Sequence, residues 1–247
     1  MYRYLAYFFL LSVSGCATTV NTSSPKLSPE VAQNFRQGKI SVVFFDVKKT
    51  LNYIVEIYEV LNTTERKLSS SYRDDWESDA YLTDLHTRQF AKQGLKVNMF
   101  SELFSKADLK LIELFHQQNL RNRKKDPKVK LSLTPEIKEI LSERRIKHLV
   151  LIDWTGFNLL IKSQGLPAEE FASTHYKIFN VESGNIMWEG SIPARLTLKL
   201  KKDGKIFLEE NNFAQFKFEV KRLILSQYTR KENNIWQQLG LEEEIEK

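Results

Sequence analysis

Residues 171–192, "FASTHYKIFNVESGNIMWEGSI", contain the strongest strand signal of the sequence. Two apolar runs rich in β-branched and aromatic residues flank the short turn "ESG" (182–184). Such runs around a glycine-containing turn are typical of a β-hairpin, because glycine adopts turn conformations that other residues avoid. The segment therefore predicts two antiparallel strands in the second half of the chain.

Further strands are predicted on both sides of this hairpin. The runs "KISVVFFDV" (39–47) and "IKHLVLIDW" (146–154) are continuously apolar at their centres, as in strands that are covered on both faces. Shorter strands are predicted at 52–61 and 95–100. The segment "RLTLKLKK" (195–202) alternates apolar and polar residues, as a half-buried strand does.

Four segments have the apolar period and the end signals of helices. Ser78, Ser101 and Thr134 are the predicted N-caps, Pro135 occupies a first helical position, and Gly94 marks an end. The predicted helices cover residues 78–94, 101–120, 134–145 and 211–231.

The order of these elements predicts one α/β (α+β) domain, with a mixed β-sheet flanked by about four helices. We expect this domain to cover residues 39–231. The Ser-, Thr- and Pro-rich residues 16–38 are predicted to be a flexible tether, and the acidic residues 232–247 a loose tail.

The first fifteen residues have the composition of a secretory signal peptide. A basic residue, Arg3, precedes the apolar run "LAYFFLLSVSG" (5–15), which is too short to span a bilayer. We therefore expect residues 1–15 to be removed.

The residues Val13-Ser14-Gly15-Cys16 resemble the lipobox of bacterial lipoproteins. This resemblance implies cleavage between Gly15 and Cys16 and attachment of fatty acids such as palmitate to Cys16, the only cysteine. Two or three acyl chains would hold the protein on a membrane. Ala17, in place of the aspartate that retains such proteins in the inner membrane, favours the outer membrane, facing the periplasm.

The hairpin is similar to that of envelope lipoproteins with an anticodon-binding-domain-like fold, such as the curli secretion lipoprotein and the activators of penicillin-binding proteins. Glu182, Gly184 and Trp188 match their hairpin pattern. The resemblance implies binding or assembly, and it transfers no catalytic residue because the group shares no catalytic set.

The sequence contains no nucleophile elbow, zincin motif, P-loop or dinucleotide-binding glycine pattern. We therefore expect no catalytic site, cofactor or metal. His148 and His175 lie in predicted strands and could approach each other as a metal pair, but a strand histidine is more often structural. The acidic pairs at 74–75 and 169–170 are expected to be solvated. A net charge of +6 without an aromatic-interleaved basic motif does not indicate nucleic-acid binding.

Three residues are candidate contacts for a ligand or partner. Asp153 and Trp154 end a buried strand and precede a predicted loop, 155–167, and ligands often bind at strand ends of α/β sheets. The alternative is that Asp153 caps the turn and Trp154 closes the core. Trp76 lies in a polar segment, where it either anchors a partner or packs onto the domain.

These features predict a membrane-anchored periplasmic lipoprotein that acts as a non-catalytic binding or assembly factor. Its expected partners are membrane lipid, through acylated Cys16, and an envelope protein or cell-wall component. An oligomeric secretion or channel-associated lipoprotein is one alternative. An envelope hydrolase with an unmarked acid–base site is the other, and it predicts loss of activity in Asp153→Ala.

Overall fold

The structure, a computed structural model, describes residues 25–46, 50–56, 68–71, 76–162, 168–198, 208 and 210–242. Residues 1–15, for which the sequence predicts a signal peptide, lie outside these ranges, as do Cys16 and most of the predicted tether. None of the described helices is long and apolar enough to cross a membrane.

The described elements alternate between helices and strands along most of the chain. The helices are α1 (Pro29–Gln37), α2 (Ser78–Lys92), α3 (Phe100–Leu103), α4 (Lys106–Lys125), α5 (Pro135–Glu143), α6 (Glu210–Thr229) and α7 (Ile235–Leu239). The strands are β1 (Lys39–Phe45), β2 (Thr50–Glu56), β3 (Leu68–Ser71), β4 (Lys96–Asn98), β5 (His148–Trp154), β6 (Phe157–Lys162), β7 (Ala168–Asn180) and β8 (Ile186–Leu198).

All of these strands belong to one mixed sheet built on the long β7–β8 hairpin. Strand β8 pairs with β7 along its whole length, and β5 and β6 pair in succession with β7, all antiparallel. Strand β1 then pairs in parallel with β5, and β2 with β6. The short strands β4 and β3 follow at the edge. The predicted hairpin and the mixed sheet are confirmed.

Helices pack on both faces of the sheet, which confirms the single α/β domain. The first face, which contains Phe44 and Ile152, forms the larger core with buried residues of α1, α2, α6 and α7. The second face, which contains Phe45 and Leu151, forms a smaller core with α4 and α5.

Helix ends agree with the sequence in part. The side chain of Thr134 caps α5, and Gly94 has the positive φ of a helix end. The predicted cap Ser101 is wrong, because it lies inside the short α3, and Ser105 caps α4 in a reciprocal capping box with Asp108. Ser78 is likewise not the cap but the first residue of α2.

The predicted loop 155–167 is also wrong over its first half. Residues 157–162 form β6, whose Phe157 and Leu159 are fully buried on the first face. Gly156, one of the glycines that suggested a loop, has φ +91°. It lies in the short break between the end of β5 and the start of β6.

Both ends of the described chain are more ordered than the expected boundaries 39–231 allow. Helix α1 buries Phe35, and α7 buries Ile235 and Trp236. The two ends also meet, because the Leu27 N–H donates to the Leu239 carbonyl (3.2 Å). Residues 29–38 and 235–241 are therefore part of the domain rather than tether and tail.

Replacing Trp236 by alanine tests whether the C-terminal segment belongs to the core. The indole ring packs on Phe90 and Tyr228 (centroid distances 5.2 and 5.5 Å), so Trp236→Ala should lower the free energy of unfolding by about 3–5 kcal/mol. Urea unfolding of the full chain measures it, with Leu114→Ala at a half-exposed site as the control. Equal, small effects of both variants would show that the segment is loose.

Candidate functional site

The second face of the sheet changes from apolar to charged along one line that crosses three strands. On β5, Leu149 and Leu151 are followed by Asp153 on the same face. In the register of the sheet, Asp153 lies opposite His175 of β7, which lies opposite Ser191 of β8. One step toward the apolar side, Lys177 lies opposite Glu189.

Helix α4 presents a matching polar stripe to this line. His116, Asn119 and Arg123 are spaced three and four residues apart, so they share one side of the helix. Between the helix and the strands lies a cavity of about 370 Å³, the polar cleft. Its lining residues are Asn119, Leu120, Arg123, Asp153, Trp154, Thr155, His175, Lys177, Glu189, Gly190 and Ser191.

A buried cluster of charges forms the floor of the polar cleft. Asp153 is only 5% exposed, and its Oδ2 accepts a hydrogen bond from Lys177 Nζ (3.0 Å) and lies 3.1 Å from His116 Nε2. Burial raises the pKa of Asp153, but the contact with His116 and the charges of Lys177, His116 and His175 outweigh burial and lower the pKa to about 2. The carboxylate is therefore ionised at neutral pH.

Two polar pairs line the mouth of the cleft. Arg123 donates through Nη1 to Glu189 Oε1 (2.9 Å), and its Nη2 lies 2.6 Å from Glu189 Oε2. The arrangement is a two-point pair that joins α4 to β8. His175 Nδ1 and Ser191 Oγ form a hydrogen bond of 2.5 Å between β7 and β8.

Two donors beside the cleft have no hydrogen-bond partner among the described residues. They are Nδ2 of Asn119, a residue that is 7% exposed, and Nε of Arg123. An unpaired buried donor costs roughly 1–3 kcal/mol, so native proteins retain few of them. Both nitrogen atoms are enclosed by protein, so they are not part of the surface that the cleft presents.

Both tryptophan candidates pack into the domain, which is the alternative that the sequence left open for each of them. Trp154 borders the cleft, but its indole N–H donates to Asp46 Oδ1 (2.6 Å) and its ring packs against Phe44 on the first face. Trp76 is 8% exposed and packs edge-on against Phe216, so its assignment as an exposed anchor is wrong. Of the three candidates, only Asp153 points a functional group toward the cleft.

Trp76 borders a second, larger cavity. This groove of about 580 Å³ lies between α2 and the first turns of α4, and its floor contains Val43, Phe45 and Phe104. Three acidic residues of its lining come from α2 and the residue before it.

The two histidines that the sequence offered as a metal pair, His148 and His175, lie far apart in the structure. His148 pairs with Asn180 and His175 with Asp153, so about five residues, roughly 17 Å, separate the two histidines along the sheet. No described group of histidine and acidic residues could hold a metal ion. Cys16, Gly15 and the acidic pair at 74–75 lie outside the described residues.

The acidic pair at 169–170 was expected to be solvated, but it lies in β7. Glu170 is fully buried on the first face beside Glu219 and Arg222 of α6. Burial and the neighbouring Glu219 raise the pKa of Glu170 to about 8, against the opposing effect of Arg222.

Most of the cleft residues were not identified from the sequence. Lys177 and Glu189 stand inside the apolar runs of the hairpin, which is unusual for charged residues. The stripe of His116, Asn119 and Arg123 interrupts the apolar side of α4. Each signal is visible in the sequence, but only the register of the sheet shows that they meet.

The solved structures described below are distant likenesses of this chain. No family model and no curated protein matches the chain. Among solved structures, a lipoprotein from Neisseria meningitidis is 13% identical, with a TM-score of 0.31 over 76% of this chain and 99% of that chain. A hypothetical protein from Chlamydia trachomatis is 11% identical, with a TM-score of 0.35 over 76% and 98%.

The C-terminal domain of LpoB from Salmonella enterica is also similar, at 11% identity and a TM-score of 0.22 over 63% of this chain and 81% of that domain. Likenesses of this size assign neither an activity nor a partner to the chain.

Acid unfolding tests whether folding lowers the pKa of Asp153. Its pKa is lower in the folded than in the unfolded chain, so ionised Asp153 stabilises the fold above about pH 4, and this contribution is lost as the pH falls toward 2. Over this pH range, the free energy of unfolding of wild type should fall on the order of 2 kcal/mol more than that of Asp153→Asn. This size follows because one pKa unit corresponds to about 1.4 kcal/mol.

Urea unfolding at several pH values between 2 and 6 measures this difference. Glu139→Gln, at an exposed position of α5, is the control and should retain the wild-type pH dependence. Parallel curves for wild type and Asp153→Asn would show that folding does not lower the pKa of Asp153.

Proposed function

We propose that the protein is a lipid-anchored lipoprotein of the bacterial envelope that binds a partner through its polar cleft and catalyses no reaction. The anchor is acylated Cys16, and the outer membrane, facing the periplasm, is the proposed location. The partner is an envelope protein or a cell-wall component. The amino-terminal pattern around Cys16 supports the anchor, and the geometry of the cleft supports binding.

The observation that favours binding is a buried ion cluster that borders an open cavity. Ion pairs inside proteins cost desolvation energy, and replacing them with apolar residues often leaves stability unchanged or increases it. The charges at Asp153 and Lys177 are thus not explained by stability alone. Together with Glu189, His175 and Ser191, which also line the cleft, they give it a set of polar groups suited to recognition.

The lipid anchor is tested by metabolic labelling with an alkyne-bearing fatty acid. Wild type should incorporate the label and sediment with membranes, whereas Cys16→Ser should do neither, because only a thiol accepts the diacylglycerol. Ser14→Ala, which keeps a small residue before the cleavage site, is the control and should be labelled. Equal labelling of wild type and Cys16→Ser would refute the anchor.

Binding through the cleft is tested by photo-crosslinking in cells. A photoreactive phenylalanine analogue replaces Leu120, which lines the cleft, or Gln118, which is exposed on the same helix. Because only position 120 faces the proposed ligand, it should give a discrete adduct that position 118 does not. The same adduct pattern from both positions would count against the cleft as the binding surface.

A second candidate, hydrolysis, is favoured by one observation. Asp153, His175 and Ser191 lie side by side on three neighbouring strands, and His175 is hydrogen-bonded to Ser191. These are the residue types of a serine hydrolase. Against this role, Lys177 and His116 already engage Oδ2 of Asp153.

A fluorophosphonate probe distinguishes the two candidates. The binding function predicts no labelling of the purified chain, because Lys177 and His116 hold the carboxylate of Asp153. Labelling that disappears in Ser191→Ala and in His175→Ala would establish the hydrolase instead.

A further inference from the structure

We infer that the polar cleft binds an uncharged, hydroxyl-bearing ligand, a neutral sugar, through Oδ1 of Asp153 and the hydroxyl of Thr155. This inference rests on the proposed role of the cleft as the binding surface and specifies the chemistry of what it binds.

The first observation is a carboxylate oxygen that the protein leaves open to the cleft. The Asp153 carboxylate contacts Lys177 Nζ (3.0 Å) and His116 Nε2 (3.1 Å), and both contacts are made at Oδ2. Oδ1 has no hydrogen-bond partner among the described residues, and it is not one of their enclosed unpaired atoms. A carboxylate accepts hydrogen bonds at both oxygens, so Oδ1 is an acceptor that a ligand can reach.

The second observation is a hydroxyl donor near this acceptor. Thr155 comes two residues after Asp153, and both residues line the cleft. Oγ1 of Thr155 accepts a hydrogen bond from the Ser173 N–H (3.2 Å). The hydroxyl hydrogen has no acceptor among the described residues, so it is available to a ligand. Neighbouring hydroxyls of one sugar ring can donate to Oδ1 and accept from Thr155.

The third observation is the charge around Oδ1. An ammonium group bound there would share the carboxylate with Lys177, whose Nζ lies 3.0 Å from Oδ2, and like charges this close repel each other. An anion would face Oδ1 itself and the carboxylate of Glu189 at the mouth of the cleft. A ligand that donates hydrogen bonds without carrying charge avoids both penalties.

The fourth observation is the size and the remaining lining of the cleft. A volume of about 370 Å³ is near the lower limit of ligand pockets, which suits a small ring. Arg123 and Glu189, whose side chains are 31% and 23% exposed, add donors and acceptors at the mouth. Leu120 adds apolar surface for the C–H groups of a ring. A sugar carries several hydroxyls around one ring, so it can use this mixed lining.

Saturation-transfer NMR of the full chain in detergent tests this inference, because the method detects weakly bound ligands. The probes are glucose, glucosamine and glucuronate, which share one ring and are neutral, cationic and anionic at about pH 6. We expect glucose to bind wild type at least five-fold more tightly than either charged sugar.

Two variants locate the site. Asp153→Asn should weaken glucose binding about ten-fold, because hydrogen bonds to a charged acceptor are roughly twice as strong as neutral ones. Its control is Asp126→Asn, at an exposed position after α4. Thr155→Val keeps the shape of the side chain and removes the hydroxyl, so it should weaken binding about five-fold. Its control is Thr229→Val, at the exposed end of α6.

Both controls should stay within about two-fold of wild type. Urea unfolding of each variant shows whether it is folded, because Asp153 also holds the ion cluster together. If Asp153→Asn does not fold, Thr155→Val decides the outcome.

The inference is overturned if none of the three sugars binds, since Oδ1 would then contact water only. It is also overturned if glucosamine or glucuronate binds as tightly as glucose, or if a folded cleft variant binds glucose like wild type. Each of these outcomes leaves the proposed function standing if position 120 still gives its specific crosslink, and both proposals fall if that crosslink is absent.

Discussion

The buried carboxylate of Asp153 is the constraint on which the arrangement of the second face depends. An ionised group inside a protein costs several kcal/mol unless partners compensate it. Its two partners come from different elements, Lys177 from β7 and His116 from α4. The contact between Asp153 and His116 therefore fixes the position of α4 along the sheet. It brings Asn119 and Arg123, on the next turns of the helix, over β7 and β8. The cleft follows from this position of α4, where the apolar packing of the second face ends.

Much of the fold was predictable because apolar periodicity reports burial directly. The hairpin, the central strands β1 and β5, and the helices α2, α5 and α6 lie where their patterns placed them. The errors occurred where composition and packing disagree. Gly156 suggested a loop, although it lies in a short break between β5 and β6. Trp236 lies in α7, in a segment whose acidic neighbours suggested a loose tail. In both cases, distant contacts determine the structure, and a local pattern does not contain them.

The candidate site was less predictable, for the same reason. Asp153 was identified because it ends a buried strand, and the structure places it at the cleft. Lys177, His116 and Asn119 were not identified, because their roles depend on strand register and on how α4 lies across the sheet. A lysine inside an apolar strand indicates that a counter-charge is needed, but sequence alone does not say which carboxylate supplies it. Trp76 shows the opposite error, since a polar neighbourhood suggested exposure and the ring is buried.

The proposed anchor and the proposed binding role of the cleft together describe a protein held at a membrane that presents a polar recognition surface. The most direct test of this account is the pKa of Asp153 itself, measured by ¹³C NMR of the side-chain carboxyl in the full chain. The account predicts titration near pH 2, because Lys177 and His116 stabilise the charged form more than burial opposes it. Titration at pH 4 or above would show that the ion cluster at the floor of the cleft does not form.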